Sequence, residues 1–425
     1  MNHIYRVVFN TSLGVWQAVS EVGKGVGKGK SIARRHRTYL ATLAGSVFLV
    51  SSHVYAASLP QNGVISSGSG AIAQPNGSTL NITQNTNKMV IDWNSFSVGN
   101  GKTVNFIQPS SSAIALNRVT GTDVSNIQGS INANGQVFLI NPNCILFSTT
   151  AQVNLGALVA STRNINNQDF NNNNFKFDGS NGNAIINQGT IKTADGGYVV
   201  MVAAKIENTG NITANQGTVA LAAGDTVLVN MGGSVSIEVQ QGAIDALIKN
   251  GGAIKAEAGH ILLTAKAAGD LAASVLNNTG MLDASSLSSV GGKIMLVADD
   301  ITNSGSLHAA GVTGGEVIVG NATNTSTTIK STSDISAGFV ETSGKKLKVE
   351  EGVKVKAKQW LLDPTDITIT QQGAEGITGS NIAGQTIQDI LNNGTAVTLT
   401  AANDINVNYA MNWNQSTLTL TAGND

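Results

Sequence analysis

From residue 57 onward, apolar residues alternate with polar ones in bursts of only three to six positions, and the bursts recur with a shared punctuation. Each recurrence has two halves. The first reads Asn-x-Gly-x-apolar and occurs at Asn187/Gly189/Ile191, Asn208/Gly210/Ile212, Asn250/Gly252/Ile254, Asn278/Gly280/Leu282 and Asn303/Gly305/Leu307. The second, some ten residues later, reads Gly-x-apolar-x-apolar, at Gly197/Val199/Met201, Gly217/Val219/Leu221, Gly259/Ile261/Leu263, Gly292/Ile294/Leu296 and Gly315/Val317/Val319. First halves are spaced by 21, 42, 28 and 25 residues. The long step is twice the short one, so residues 224–246 read as an irregular coil or an extra hairpin.

Period-2 patterning places alternate side chains on opposite faces of a strand, one toward a core and one toward water. A unit of this length cannot bury its apolar face alone and must stack on copies of itself. An antiparallel sandwich also has short alternating strands, but a fixed downstream partner for every Asn-x-Gly favours a solenoid. The pattern therefore predicts an all-β chain, a right-handed parallel β-helix with an amino-terminal cap over residues 57–88 and extra-helical hairpins. Gly would permit positive-φ corners and Asn would tolerate them. Successive Asn side chains would stack into a ladder that satisfies buried amides. At about 4.8 Å and 20–25 residues per coil, residues 57–425 would form a rod about 75–85 Å long.

Residues 135–162, GQVFLINPNCILFSTTAQVNLGALVAST, hold one such coil in full. Val137-Phe138-Leu139-Ile140 is a continuous apolar run and reads as a strand buried on both faces. Asn141-Pro142-Asn143 stops it, because Pro142 lacks a ladder donor and the Asn side chains bond a tight turn. Ile145-Leu146-Phe147 starts a second strand, and Val153, Leu155, Ala157 and Val159 alternate along a third. The Asn-rich stretch 163–174 reads as an exposed loop, with Phe175 and Phe177 on the strand after it.

The Asn-Pro-Asn turn followed by AQVNLGALVAST resembles the amino-terminal secretion domain of two-partner secretion exoproteins, the filamentous-haemagglutinin type. Ile91-Asp92-Trp93-Asn94-Ser95-Phe96-Ser97-Val98-Gly99 resembles the same family's other signature block. Where the family usually has Gly or Leu after the turn, this chain has Cys144. The resemblance implies export unfolded through the Sec machinery, then recognition by an outer-membrane β-barrel transporter with POTRA domains, and folding outside. It makes Asn141, Pro142 and Asn143 the expected secretion motif, acting through structural nucleation or direct recognition.

The first 56 residues read as an address. Arg34, Arg35 and Arg37 precede a 13-residue apolar run over 38–50, and Val54-Tyr55-Ala56 offers a cleavage site between Ala56 and Ala57. Thirteen residues are too few to span a bilayer. The long segment before the basic cluster resembles the extended signal peptides of large exported proteins. Seven of the 25 Lys/Arg and one of the 26 Asp/Glu lie in this leader, which leaves the remainder near −7 and disfavours nucleic-acid binding. Cys144 is the single cysteine, so no intramolecular disulfide can form, and it reads as a small buried hydrophobe.

Residues 57–310 read as the secretion domain. Residues 311–425 read as continuing β-helix, the cut-short start of an adhesin repeat region, ending without an obvious cap. GFVETSG from Gly338 and Trp360-Leu361-Leu362-Asp363-Pro364 also resemble the family's adhesins. Between them Lys345, Lys346, Lys348, Lys354, Lys356 and Lys358 alternate with apolar residues and read as the wet face of strands, with a glycan or host-surface patch as the alternative. The catalytic inventory is thin. Two histidines outside the leader, His260 and His308, fall in different coils, and no metal-ligand spacing, phosphate loop or nucleophile elbow is present. The expectation is a non-enzyme without cofactor or metal: a secreted or surface-exposed haemagglutinin-like adhesin. The alternatives on the same secretion domain are a haem or haem-carrier capture protein and the stalk of a contact-dependent toxin.

Overall fold

The computed structural model describes residues 59–425 except 232, 270–272, 322–325, 372–378 and 425, together with the backbone of residues 5–10 and 15–20. It forms two compact units, residues 1–54 and 55–425. In the first, Tyr5–Asn10 and Val15–Ser20 pair as an antiparallel hairpin. Ala56 and Ala57, the expected cleavage site, lie outside the described residues.

The second unit is a parallel β-helix with three sheets running its length. Among the described residues face 1 stacks fourteen strands, from Val64–Ser67 to Leu418–Ala422, and faces 2 and 3 stack twelve each. One coil shows the path. Tyr198–Ala203 lies in face 1, Lys205–Asn208 in face 3 and Asn211–Thr213 in face 2, before Thr218–Ala223 returns to face 1 one layer on. Register is kept residue for residue. On face 2, Ile191, Ile212, Ile254, Leu282, Leu307, Ile335 and Val355 stand in one inward column, all buried. Each gains its apolar contacts from the coils above and below, so the core is one-dimensional.

The Asn of each first half also stacks. Nδ2 of Asn187 donates to Oδ1 of Asn208 at 2.7 Å, Asn208 to Asn250 at 2.8 Å, Asn250 to Asn278 at 2.8 Å and Asn278 to Asn303 at 2.7 Å. Asn303 ends the column on the Ser333 hydroxyl at 3.1 Å. Each amide is buried and each is satisfied, which is the condition for a polar column inside a core. The expected ladder is present.

The glycines beside it have a different reason from the one expected. Gly189, Gly210, Gly252, Gly280 and Gly305 do not adopt positive φ, nor do Gly197, Gly217, Gly259 and Gly292. A Cβ at Gly217 would lie 1.7 Å from the carbonyl oxygen of Gly197, and one at Gly252 2.1 Å from that of Gly210. Successive backbones approach too closely at these corners for any side chain. Of the repeat glycines, Gly315 alone has positive φ, 89°.

At the amino end the chain runs antiparallel, as a cap should: Val64–Ser67 on Lys88–Trp93, and Gly70–Asn76 on Thr79–Gln84. The exposed edge strand carries Pro75, which withholds a donor from any incoming strand. The irregular step at 224–246 is a hairpin, Thr226–Asn230 with Ser236–Gln241, joined by Phe175–Asp178 into a three-stranded antiparallel sheet outside the coils.

Several expectations need correction. The third strand of the coil at 135–162 is two, Gln152–Leu155 on face 2 and Ala157–Ser161 on face 1, because the chain turns a corner at Gly156. Residues 163–174 are not simply an exposed loop. They hold the helix Asn167–Asn171, capped by Asn166, with Phe170 and Arg163 fully buried. Fourteen strands at about 4.8 Å each span about 60 Å, shorter than expected. The remaining length lies in excursions such as these. Near the carboxy end the helix Gly384–Asn392 buries Ile387, Ile390 and Leu391 and takes the place of a face 2 strand.

Candidate functional site: the Asn-Pro-Asn corner

Gln136–Ile140 closes a face 1 strand and Ile145–Phe147 opens a face 3 strand, so residues 141–144 form the corner between them. Asn141 is fully buried there. Its Oδ1 accepts the Asn143 backbone N–H at 2.9 Å, the side-chain mimic of a backbone turn. Its Nδ2 donates to the carbonyl of Asp123 at 3.0 Å and to the Ser125 hydroxyl at 2.9 Å, both in the preceding coil. Asn143 repeats the move one step out, donating from Nδ2 to the Gly121 carbonyl at 2.9 Å.

The following coil closes on the corner from the other side. Nδ2 of Asn183 donates to the Pro142 carbonyl at 2.7 Å, and the Asn141 backbone N–H donates to the Ser161 carbonyl at 2.9 Å. The structure thus brings Asn141, Pro142 and Asn143 together as a staple across three layers, with Asn141 buried and Pro142 and Asn143 half-buried. Cys144 completes the corner with φ of 153°, a conformation that favours glycine. It is half-buried rather than fully buried, and burial pushes its thiol pKa up.

The second signature block fastens the cap. The Trp93 indole N–H donates to Asn117 Oδ1 at 3.0 Å and its ring meets Phe96 edge-on at 5.6 Å. A Cβ at Gly63 would strike that ring, so the cap strand lies flat on Trp93. Asp92 is an ion-pair partner: its carboxylate meets the Arg118 guanidinium at 3.1 Å. Arg118 also donates to the Ile165 carbonyl at 2.7 Å and to Asn167 Oδ1 at 2.8 Å, tying the extra-helical helix to the first coils.

Two features escaped the sequence reading. The first is a second apolar cluster on the outer side of face 1, where Phe138, Val200, Val202 and Ala220 pack against Phe170, Phe175, Phe177 and Val227. Its signal was the uninterrupted apolar character of Tyr198–Ala203 and Val219–Ala223, every residue of which is buried. The second is Arg163, which donates to Asp225 at 2.8 Å, to the Gly224 carbonyl at 2.9 Å and to Asn181 Oδ1 at 2.8 Å. It holds the hairpin's base to the coil. No sequence period marks such a pair.

The adhesin-like block is also packed inside. Trp360, Leu362, Thr342 and Ser343 are buried, and the Trp360 indole N–H donates to the Thr342 hydroxyl at 3.1 Å. The lysines are the wet face of strands, as expected, with Leu347, Val349, Val353 and Val355 buried between them. They are divided between faces, Lys346 and Lys348 on face 3 and Lys354 and Lys356 on face 2. His260 and His308 likewise stand on different faces. Among the described residues no three His, Cys, Asp or Glu are grouped to hold a metal ion, and no helix is long and apolar enough to cross a membrane.

Comparison with known proteins agrees with this geometry. Residues 56–309 match the TPS secretion domain and residues 1–51 the Extended Signal Peptide of Type V secretion system. A heme/hemopexin-binding protein of Haemophilus influenzae (strain ATCC 51907 / DSM 11121 / KW20 / Rd) is 33% identical over 236 residues, 53% of this chain and 26% of that protein. Another heme/hemopexin-binding protein of Haemophilus influenzae is 28% identical over 320 residues, 68% of this chain and 34% of that protein. This chain thus spans about a quarter to a third of the length of these relatives. The crystal structure of the HMW1 secretion domain from Haemophilus influenzae superposes with a TM-score of 0.69 at 25% identity, covering 85% of this chain and 100% of that one. The chain belongs to the TPS secretion domain family, the two-partner secretion exoproteins, which are exported across the envelope to the cell surface or the medium.

Proposed function

We propose that this chain is the export module of a protein that captures haem or a haem-carrying protein, and that an outer-membrane β-barrel with POTRA domains recognises and threads it. The observation that carries the export role is the Asn-Pro-Asn corner, which locks the coil at 135–162 to the layers on both sides. Repeat chains fold by nucleating at one place and propagating to neighbours. A capped end followed by a stapled coil is a nucleus close to the end that emerges first. Each coil added outside lowers the free energy and opposes backward sliding. The Asn141 side chain and the Asn143 amide donors bond within the protein, which favours nucleation over direct contact as their role. The role requires no catalytic group.

For the cargo, the names of two relatives favour haem or carrier capture. The adhesin reading rested on the GFVETSG and WLLDP segments, whose burial gives it less support. The test co-expresses the chain with a two-partner transporter and compares wild type with Asn141→Ala and Pro142→Ala. Secretion of wild type and Pro142→Ala, with Asn141→Ala retained and degraded, supports nucleation by the staple. Equal secretion of all three removes the corner from the export mechanism. Binding of the secreted protein to haem-agarose or immobilised hemopexin, against a bare-resin control, tests the cargo separately.

A further inference from the structure

In the regular part of the rod, spatial order follows chain order. On face 3, Lys346–Val349 stacks on Ser326–Ile329, which stacks on Asp300–Asn303. Each strand finds its floor already built. The next strand in sequence breaks this rule. Ile367–Thr370 does not pair with Lys346–Val349; its neighbours are Asn381–Ala383 on one side and Ile405–Val407 on the other. Asn381–Ala383, later in the chain, is the strand that sits on Lys346–Val349, through Lys348↔Asn381 and Val349↔Ile382.

Ile367 and Ile369 are fully buried, so their floor is made by residues that follow them in the chain. Ser380 joins both sides: its hydroxyl accepts the Leu347 backbone N–H at 2.9 Å, and its carbonyl accepts the Thr368 N–H at 3.1 Å. The Thr370 hydroxyl donates to Asn381 Oδ1 at 2.9 Å. The helix Gly384–Asn392 then closes face 2 over its last strand, Lys354–Lys356, with the Thr386 hydroxyl donating to the Glu350 carbonyl at 2.9 Å. At the next corner one hydroxyl replaces a strand partner. Thr395 Oγ1 accepts the Ala357 N–H at 3.1 Å and donates to the Ala357 carbonyl at 3.0 Å. Ala396–Ala401 finally stacks on Gln359–Pro364 and the rod resumes.

We infer that residues 365–371 and 379–401 form a single folding step, an interleaved coil that halts coil-by-coil growth and then closes at once. Until Asn381–Ala383 is seated, Ile367–Thr370 has no ladder partner toward the rod, and Ala396–Ala401 is held out of register by an unplaced helix. The unit is therefore all-or-none, a distinct cooperative block within an otherwise incremental array. This dependence belongs to the chain itself and holds whether or not a transporter is involved.

The test is hydrogen exchange by mass spectrometry on the full chain, comparing wild type, Ile382→Asp and Ile405→Asp. In Ile382→Asp, protection of 365–371 and 396–401 is expected to fall more than about tenfold, together with that of the Leu347 amide, which donates to Ser380, while 326–344 keeps its protection. Loss at 365–371, upstream of the substitution, is the signature of interleaving. In Ile405→Asp, 365–371 loses only amides that face the following strand, such as Ile367, which donates to the Asp404 carbonyl, and keeps those that face the rod, such as Thr368, which donates to Ser380. Unchanged protection of 365–371 in Ile382→Asp overturns the inference, and so does equal loss across 326–344, which would mean the coils unravel without a boundary. Pulse-labelled refolding of the unaltered protein gives the second reading. Residues 367–370 should gain protection together with 381–395 and after 326–344; protection of 367–370 before 381–395 refutes the step.

Discussion

Asn208 donates its side-chain amide to Asn250 at 2.8 Å and receives that of Asn187 at 2.7 Å, with all three side chains buried. Removing the middle member orphans a donor on one side and an acceptor on the other. Each orphan costs about 1–3 kcal/mol. Asn208→Ala should therefore lower stability by about 2–4 kcal/mol, read from urea unfolding. A loss below about 0.5 kcal/mol would mean that water enters and replaces the amide.

Two glycines separate crowding from conformation. Gly217 has a negative-φ backbone but no room, its added Cβ falling 1.7 Å from the Gly197 carbonyl oxygen. Gly196 has φ of 77° and nothing within 4 Å. Gly196→Ala should cost about 1–2 kcal/mol, the strain of a left-handed residue. Gly217→Ala must push two coils apart and should cost clearly more. Equal urea midpoints for the two variants would show that the coils part easily.

At Cys144 the direction reverses. A non-glycine residue at φ of 153° stores strain of order 1–3 kcal/mol. Cys144→Gly should relieve part of it and raise stability by up to about 1 kcal/mol, after the entropy that glycine adds to the unfolded chain. In the folded protein the half-buried thiol, with its raised pKa, should react with a disulfide reagent at pH 8 more slowly than in urea. Equal rates in both states would place the sulfur in open water.

His260 gives the rod one site of pH dependence. Burial and then the neighbouring Lys293 push its pKa below 6.5, and Lys293 in turn is paired with Glu316 at 2.8 Å. The folded state thus binds the proton less readily than the unfolded chain. Its contribution is fully present above pH 6.5 and is lost as pH falls from there through the folded value. Urea midpoints measured between pH 7.5 and 5.5 should fall less steeply for His260→Gln than for wild type. Parallel slopes would assign the dependence to other groups.

What the sequence made legible was whatever repeats. The inward columns, the Asn ladder and the capped solenoid all follow from a period that a reader can count, because each coil must satisfy the same steric and hydrogen-bonding demands. What stayed hidden has no period. Arg163 finds Asp225 across an excursion of the chain, and an Asn-rich stretch concealed the buried Phe170. The glycines were correctly located but attributed to positive φ, since a single sequence does not distinguish a strained backbone from a crowded one. The helix at 384–392 carries isoleucines at helical spacing, yet the surrounding strand pattern masked it.

The amide column has a consequence for how such a chain changes its length. Every donor in it points toward the carboxy end, and every member presents the same acceptor to the coil before it. Excising one whole coil between Asn187 and Asn303 would bring a donor onto an acceptor of the same kind, and duplicating one would insert a link that already fits. The buried polar network is therefore indifferent to the number of coils. A coil-sized gain or loss of gene sequence is a tolerable edit, and a smaller gain is tolerated where it leaves the stack as an excursion, as the hairpin Thr226–Asn230 with Ser236–Gln241 does between Asn208 and Asn250. Length can drift in whole-coil steps while the cap, the staple and the interleaved end remain in place.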